Sequence, residues 1–297
     1  MRRALLLAAA ALLATPGTAG GDGLPVGNVD VGDEGVVAPG GSDRIVALTS
    51  EVGTTAVARI DREGGTVERW RWLREPLTVP GVALDGTADG LSADGSRVVL
   101  IRPREVNHFP LRRTRLVALD ARTLRVQRRL SLRGDFSFDA LSPDGRRLYL
   151  VHYVDRRDPR KYVVRSYDLV RGRMERGAIV DAREPDEDMR GYPVTRETTT
   201  DGRWAYTLYD GVGEPFVHAL DTVGRRAFCI DLPMLAGHAS PQGLRLALRD
   251  GALEVDDGDR RAAIVDTRTM HASRPVTGMF GELAVAAAEG VTGSPSD

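Results

Sequence analysis

Five polar residues fall where a chain of short strands could gather chemistry around an axis: Asp89, Asp139, Arg196, Glu197 and His238. Each precedes a turn that recurs along the chain. Asp89, Asp139 and Arg196 stand five residues before Asp94, Asp144 and Asp201, whereas Glu197 and His238 stand four before Asp201 and Gln242. Neighbouring strand positions face opposite ways, so the two sets cannot line one channel together. Carboxylates such as Asp89 and Asp139, met by His238, suit the acid/base chemistry of a hydrolase or lyase. The same residues would equally hold adjacent sheets together through hydrogen bonds around a wet channel.

Ligand-contacting candidates lie on irregular segments. One segment, 102–110, carries Arg104 and His108, and a second, 152–160, carries His152, Asp155, Arg156 and Arg157. Two more, 181–191 and 209–215, are expected on the same face, where function concentrates when loops stand on a rigid scaffold. Within 181–191, Glu184, Asp186, Glu187 and Asp188 offer hard oxygen ligands of the kind calcium takes. No EF-hand spacing accompanies them, and a solvated loop or a partner for nearby arginines is the plainer account. The five histidines form no His-x-His or His-x-x-x-His pair, so zinc has no local support. No Gly-x-Ser-x-Gly elbow and no phosphate-binding glycine loop is present. Trp70 and Trp72 share one side of a strand beside Arg69, Arg71 and Arg74. They suit either a sugar or protein platform or packing against a neighbouring sheet.

The elements that must position these groups are written in the repeat. Leu91-Ser92-Ala93-Asp94-Gly95 precedes an apolar run, and Leu141-Ser142-Pro143-Asp144-Gly145 does the same. Thr199-Thr200-Asp201-Gly202 and Ser240-Pro241-Gln242-Gly243 are weaker copies, and Gly41-Ser42-Asp43 is a degenerate first one. Asp-Gly between apolar runs is a hairpin signal, because glycine accepts the positive φ that closes the turn. Gly95, Gly145 and Gly202 are therefore expected at positive φ. A second marker alternates with the first: apolar runs ending in Asp61, Asp120, Asp168, Asp221 and Asp266. Self-similarity near a period of ~50 residues marks stacked units. Each unit reads as four strands, which suits a β-propeller of five visible repeats and five or six blades.

The cassette Leu141-Ser142-Pro143-Asp144-Gly145-Arg146-Arg147-Leu148-Tyr149-Leu150, followed by a strand ending in Asp, resembles the repeat of exported YVTN-type and TolB-like WD40-related propellers. The resemblance covers roughly residues 36–275 and implies the fold, while saying little of function.

The chain of 297 residues carries 41 basic and 42 acidic side chains, and without its leader the balance is −3. A nucleic-acid-binding domain would show a basic excess, so that class is set aside. Arg2-Arg3, the apolar run Ala4–Ala14 and Gly17-Thr18-Ala19 read as an export signal over residues 1–19, too short to span a membrane. Residues 20–35 and 276–297 are candidate ring-closing strands around a propeller at 36–275. A lone cysteine, Cys229, makes no internal disulfide and reads as a small apolar filler. The expectation is a secreted, extracytoplasmic, monomeric binding protein for a protein, peptide or glycan. It needs no cofactor beyond the calcium candidate, binds no nucleic acid, and has a secreted enzyme as the alternative.

Overall fold

A computed structural model describes residues 35–104, 109–186, 189–211, 213–238 and 241–275. The expected leader and both candidate ring-closing segments, apart from Gly35 at the inner end of the first, lie outside the described residues. So do His108, Glu187 and Asp188.

The chain is all-β and forms five antiparallel sheets arranged as propeller blades. Blade one holds β1 (Val36–Val37), β2 (Asp43–Thr49), β3 (Thr55–Asp61) and β4 (Val67–Leu73). Blade two holds β5 (Arg97–Ile101), β6 (Arg113–Asp120) and β7 (Val126–Arg133). Blade three runs from β8 (Asp135–Leu141) through β9 (Arg147–Tyr153) and β10 (Tyr162–Asp168) to β11 (Arg173–Met174). Blade four holds β12 (Pro193–Thr198), β13 (Trp204–Tyr209), β14 (Phe216–Asp221) and β15 (Arg226–Asp231). Blade five holds β16 (Leu244–Arg249), β17 (Ala252–Asp257), β18 (Arg260–Asp266) and β19 (His271–Ser273). Within each sheet the strands pair in chain order. Blades one and five do not pair with each other among the described residues.

The serine–aspartate–glycine cassette has one geometry in blades two, three and four. The Ser92, Ser142 and Thr199 hydroxyls donate to the carboxylates of Asp94, Asp144 and Asp201. Each hydroxyl oxygen also accepts the N–H five residues on, from Arg97, Arg147 and Trp204. Each carboxylate accepts the N–H two residues on. Gly95, Gly145 and Gly202 take φ of +66°, +62° and +69° as expected. At Gly145 a Cβ would also meet the Arg97 Cβ at 2.8 Å, so the adjacent blade reinforces the requirement for glycine.

The aspartate that ends each third strand closes the next turn, five times over. Asp61, Asp120, Asp168, Asp221 and Asp266 accept backbone N–H groups two or three residues ahead. Their own carbonyls accept the N–H of the fourth residue. That residue has positive φ every time, including the non-glycines Leu124, Arg225 and Met270. An Asx turn (an aspartate side chain bonded to backbone just ahead) holds a left-handed residue against its steric cost.

Three expectations need correcting. The fifth turn is Asp250-Gly251, a two-residue hairpin joining Arg249 to Ala252 with φ of +49° and +78°. Ser240-Pro241-Gln242-Gly243 instead precedes the innermost strand, so the turn aspartate lies 49 residues after Asp201 rather than 41. In blade one, Asp43 opens β2 and pairs with Arg59, and Gly40-Gly41 make the turn. Blade two has three regular strands, because the irregular stretch Leu77–Leu91 fills the inner place. It pairs with β5 in isolated bridges, Thr78–Ile101 and Leu91–Val98, rather than as a continuous strand. Gly90, at φ +128°, lets the chain approach so closely that a Cβ would lie 2.7 Å from the Val99 carbonyl oxygen.

Apolar faces pack blade on blade. Val98, Leu100, Val117 and Leu119 of blade two meet Ile45, Val57 and Leu73 of blade one. Leu116, Ala118 and Leu130, on the opposite face, meet Phe136, Leu148 and Leu150 of blade three. Burying such side chains contributes roughly 1.5–3 kcal/mol each. Trp70 and Trp72 do not share in this packing. They stand edge to face at 6.2 Å, each more than half exposed, on the side of blade one that carries Val46 and Leu48.

Candidate functional site

Near the axis, Asp89, Asp139 and Arg196 come together from three blades. A β-bulge between Phe138 and Ala140 leaves Asp139 without a cross-strand partner in β8 and aims it inward. Arg196 of β12 binds it twice, through Nη2 to the carboxylate and Nη1 to the carbonyl oxygen. Its Nε donates to Thr207 Oγ1 at 2.9 Å, and Asp89 Oδ2 lies 3.9 Å from Nη1. The side chains of Arg196 and Asp139 are 3% and 1% exposed. Such a pair is held by its mutual charge and hydrogen bonds. Each donor nitrogen of Arg196 therefore has an internal neighbour, and the Asp139 side chain is almost wholly covered, its Oδ2 without a hydrogen-bond partner.

Asp89 differs. Its Oδ1 accepts the Gly90 N–H at 2.5 Å, and the residue lines a cavity of about 210 Å³ with Ser92, Thr198, Thr199 and Thr200. Burial pushes its carboxyl above the usual range, against the pull of Arg196. The cavity opens among the Asp-Gly turns.

The remaining two candidates lie apart. Glu197 is raised by partial burial and by the charge of Asp85. His238 pairs with Asp257 at the end of β17, 3.2 Å away. Because the fifth turn is Asp250-Gly251, His238 is not on an inner strand, and its expected meeting with Asp89 and Asp139 does not occur.

The four irregular segments do gather at one end of the axis. Phe109 meets Tyr153 at 6.4 Å, joining the first segment to the second. Arg190 reaches Asp158 at 3.5 Å, and Asp210 accepts the Tyr192 N–H at 2.7 Å. Arg104 is not available to a ligand: its guanidinium pairs with buried Asp135 at 2.6 Å and lies over the Tyr153 ring. Asp155 caps its own turn through the Arg157 N–H. His152 stacks on Phe136 at 4.2 Å, and burial with the nearby Arg165 holds its pKa down. Arg156 and Arg157 are exposed.

At this end, residues of blades two and three line a groove of about 780 Å³. Arg112, Arg113, Arg133, Arg156, His152 and Tyr153 line it with Asp135, which Arg104 already neutralises. The first three arginines escape sequence reasoning because each sits at or just before a strand end, outside the irregular segments. Their density was nonetheless written in the chain.

Glu184 and Asp186 are exposed, and no cluster of three metal-donor side chains exists among the described residues. No described helix is long and apolar enough to cross a membrane.

No family model matches the chain, and no curated protein matches it. Among solved structures it is similar to TolB from Acinetobacter baumannii, with 16% identity, 67% of this chain and 42% of that one covered, and a TM-score of 0.38. It is similar to the Cps50 β-propeller domain of Myceliophteria thermophila, with 15% identity, 77% and 62% covered, and 0.43. It is also similar to an oligogalacturonate lyase in complex with manganese, with 9% identity, 81% and 63% covered, and 0.49. The chain thus spans less than two thirds of each of these three.

Proposed function

We propose that this chain is an exported, non-catalytic propeller that binds a protein, peptide or glycan partner on its loop face. The arginine-lined groove of about 780 Å³ supports this reading most directly. It is wide and open, and among the described residues its arginines lack the carboxylate partners that the axial Arg196 has. Convergent polar groups in a concave surface mark a binding site, and arginine forks suit carboxylate or other oxyanion partners. Export rests on the leader over residues 1–19, with cleavage after Ala19, which N-terminal sequencing of the exported protein would test.

The enzyme alternative has one support, the Asp89 cavity. An acid/base pair needs both partners within reach of substrate. Asp139 is paired with Arg196 and only 1% exposed, and His238 bonds to Asp257.

The test is a partner-retention measurement with immobilised protein and cell-envelope fractions, comparing the parent with Arg112→Glu/Arg156→Glu and Thr200→Glu. Loss of one saturable partner in the groove variant alone supports the reading. Equal retention by all three overturns it.

A further inference from the structure

Charge is distributed very unevenly along this nearly neutral chain. Residues 97–134 hold eleven arginines and only two acidic residues, Glu105 and Asp120. Asp120 caps the turn between β6 and β7, where its carboxylate accepts the Thr123 N–H and hydroxyl. Blade two is therefore a strongly basic sheet in a chain of net charge −1.

The register shows where that charge lies. Arg113 stands directly opposite Arg133, Arg115 opposite Ser131, and Val117 opposite Arg129. Directly opposed residues share a face, so Arg113, Arg115, Arg129 and Arg133 lie on one side of the sheet. Val117 packs toward blade one, so this is the side facing blade one. All four arginines are exposed. Arg129 meets Glu75 at 3.2 Å, and Arg113 donates to Ser131. No carboxylate among the described residues pairs with Arg115 or Arg133. Like charges placed directly opposite destabilise a sheet. The Arg113–Arg133 pair runs into the groove on the loop face, whose lining includes both.

The backbone beside this face is also open. β7 is an outermost strand of eight residues, and among the described residues its outer edge bonds to no other strand. Blade four protects its corresponding edge differently: Asp181 bridges Ala227 and accepts the Cys229 N–H, with Arg183 bonded to the Cys229 carbonyl oxygen. Exposed strand edges are templates for added strands, and positive charge on an edge normally repels such addition. Here every charge on the exposed face has one sign. It repels another copy of β7 and attracts a strand of opposite charge.

We propose that blade two receives an acidic polypeptide in extended form, added along the free edge of β7, with carboxylates at alternate residues facing Arg115, Arg129 and Arg133. The proposal deepens the loop-face binding function and rests on it, since the strip ends in the same groove. Alternation follows from the strand period: carboxylates two residues apart repeat at ~6.8 Å, the spacing of Arg113 from Arg115 along β6. Strand addition supplies affinity through the main chain, and side chains on one face supply selection. No aromatic ring stands on this face of β6 or β7 to stack a base.

The test uses the full chain and fluorescence anisotropy with a twelve-residue peptide of alternating Glu and Thr. Two controls accompany it: the same peptide N-methylated at alternate amides, and a linear oligouronate of equal charge. The parent is expected to bind the unmodified peptide saturably at physiological salt. Arg115→Glu/Arg133→Glu should weaken binding at least about ten-fold while thermal melting confirms the fold, since two charge-assisted pairs become repulsive. N-methylation should weaken it comparably. Equal binding of the methylated peptide or the oligouronate would reduce the effect to charge alone and overturn the proposal. Undiminished binding by Arg115→Glu/Arg133→Glu would overturn it too. If peptide binding is then lost in Arg112→Glu/Arg156→Glu, the loop-face function survives without strand addition. If no peptide binds but the envelope partner is still retained through the groove, the proposal falls and that function stands.

Discussion

Arg196 on blade four and Asp139 on blade three form a buried pair in which the arginine binds both the carboxylate and the main-chain carbonyl of its partner. Removing one member leaves the other charge without compensation. Arg196→Met is expected to cost about 3–5 kcal/mol in urea unfolding, and Arg196→Met/Asp139→Leu should regain a large part of it. A double variant as unstable as the single one would show that the arginine acts through packing rather than charge.

Gly145→Val should cost about 1–3 kcal/mol, because a β-branched residue resists positive φ. The Arg97 Cβ, 2.8 Å from the added atom, leaves little room to relax. Gly251→Val lies in open space at φ +78° and reports the backbone term alone. The difference in melting temperature between the two measures the inter-blade contact.

The five aspartate-closed turns should not be equally costly to break. Asp221 is fully buried and serves Val223, Gly224 and Arg226, whereas the Asp266 side chain is 44% exposed. Asp221→Ala should cost about 2–3 kcal/mol and Asp266→Ala clearly less, following the desolvation of the groups each leaves unpaired. Denaturant midpoints of the two variants check the order.

His218 is buried neutral, its pKa driven below the usual 6.5 by burial. Protons therefore bind the unfolded chain more readily than the folded one as pH falls through 6.5. Stability should decline from pH 7 toward pH 5, with a slope from this group of no more than about 1.4 kcal/mol per pH unit. His218→Gln should flatten that slope, and His152, shifted the same way, should contribute a smaller part. Melting temperatures across the pH range read both.

Much of the architecture is legible in the chain because two local devices recur in it. Ser-x-Asp-Gly and the strand-ending Asp each satisfy their own backbone, so they work wherever they occur. The first and fifth turns mislead for the same reason: Gly40-Gly41 and Asp250-Gly251 close hairpins without the serine that marks the others. Asp89, Asp139 and Arg196 could be grouped from their common offset, although the bulge at Asp139 could not be foreseen, since nothing local dictates it. Long-range pairings such as Arg104 with Asp135 leave no trace in spacing. The basic blade was visible as composition, but its alignment on one face needed the register of β6 against β7.

The turn of blade two does more than reverse the chain. Asp94 N–H donates to the Pro143 carbonyl, Arg97 reaches the Gly145 carbonyl, and Ala93 sits 2.6 Å from where a Gly202 side chain would begin. Leu84 and Asp85, from the stretch that replaces a regular inner strand, donate to the Pro193 and Val194 carbonyls of β12. Each blade of a propeller ordinarily leans on its two neighbours, and loss of one can propagate stepwise, as in a linear array. Here blades two, three and four are tied at a common hub, including across the gap from two to four. These three should melt together as one cooperative unit, with exchange of their inner amides governed by a single opening event, while blades one and five loosen earlier.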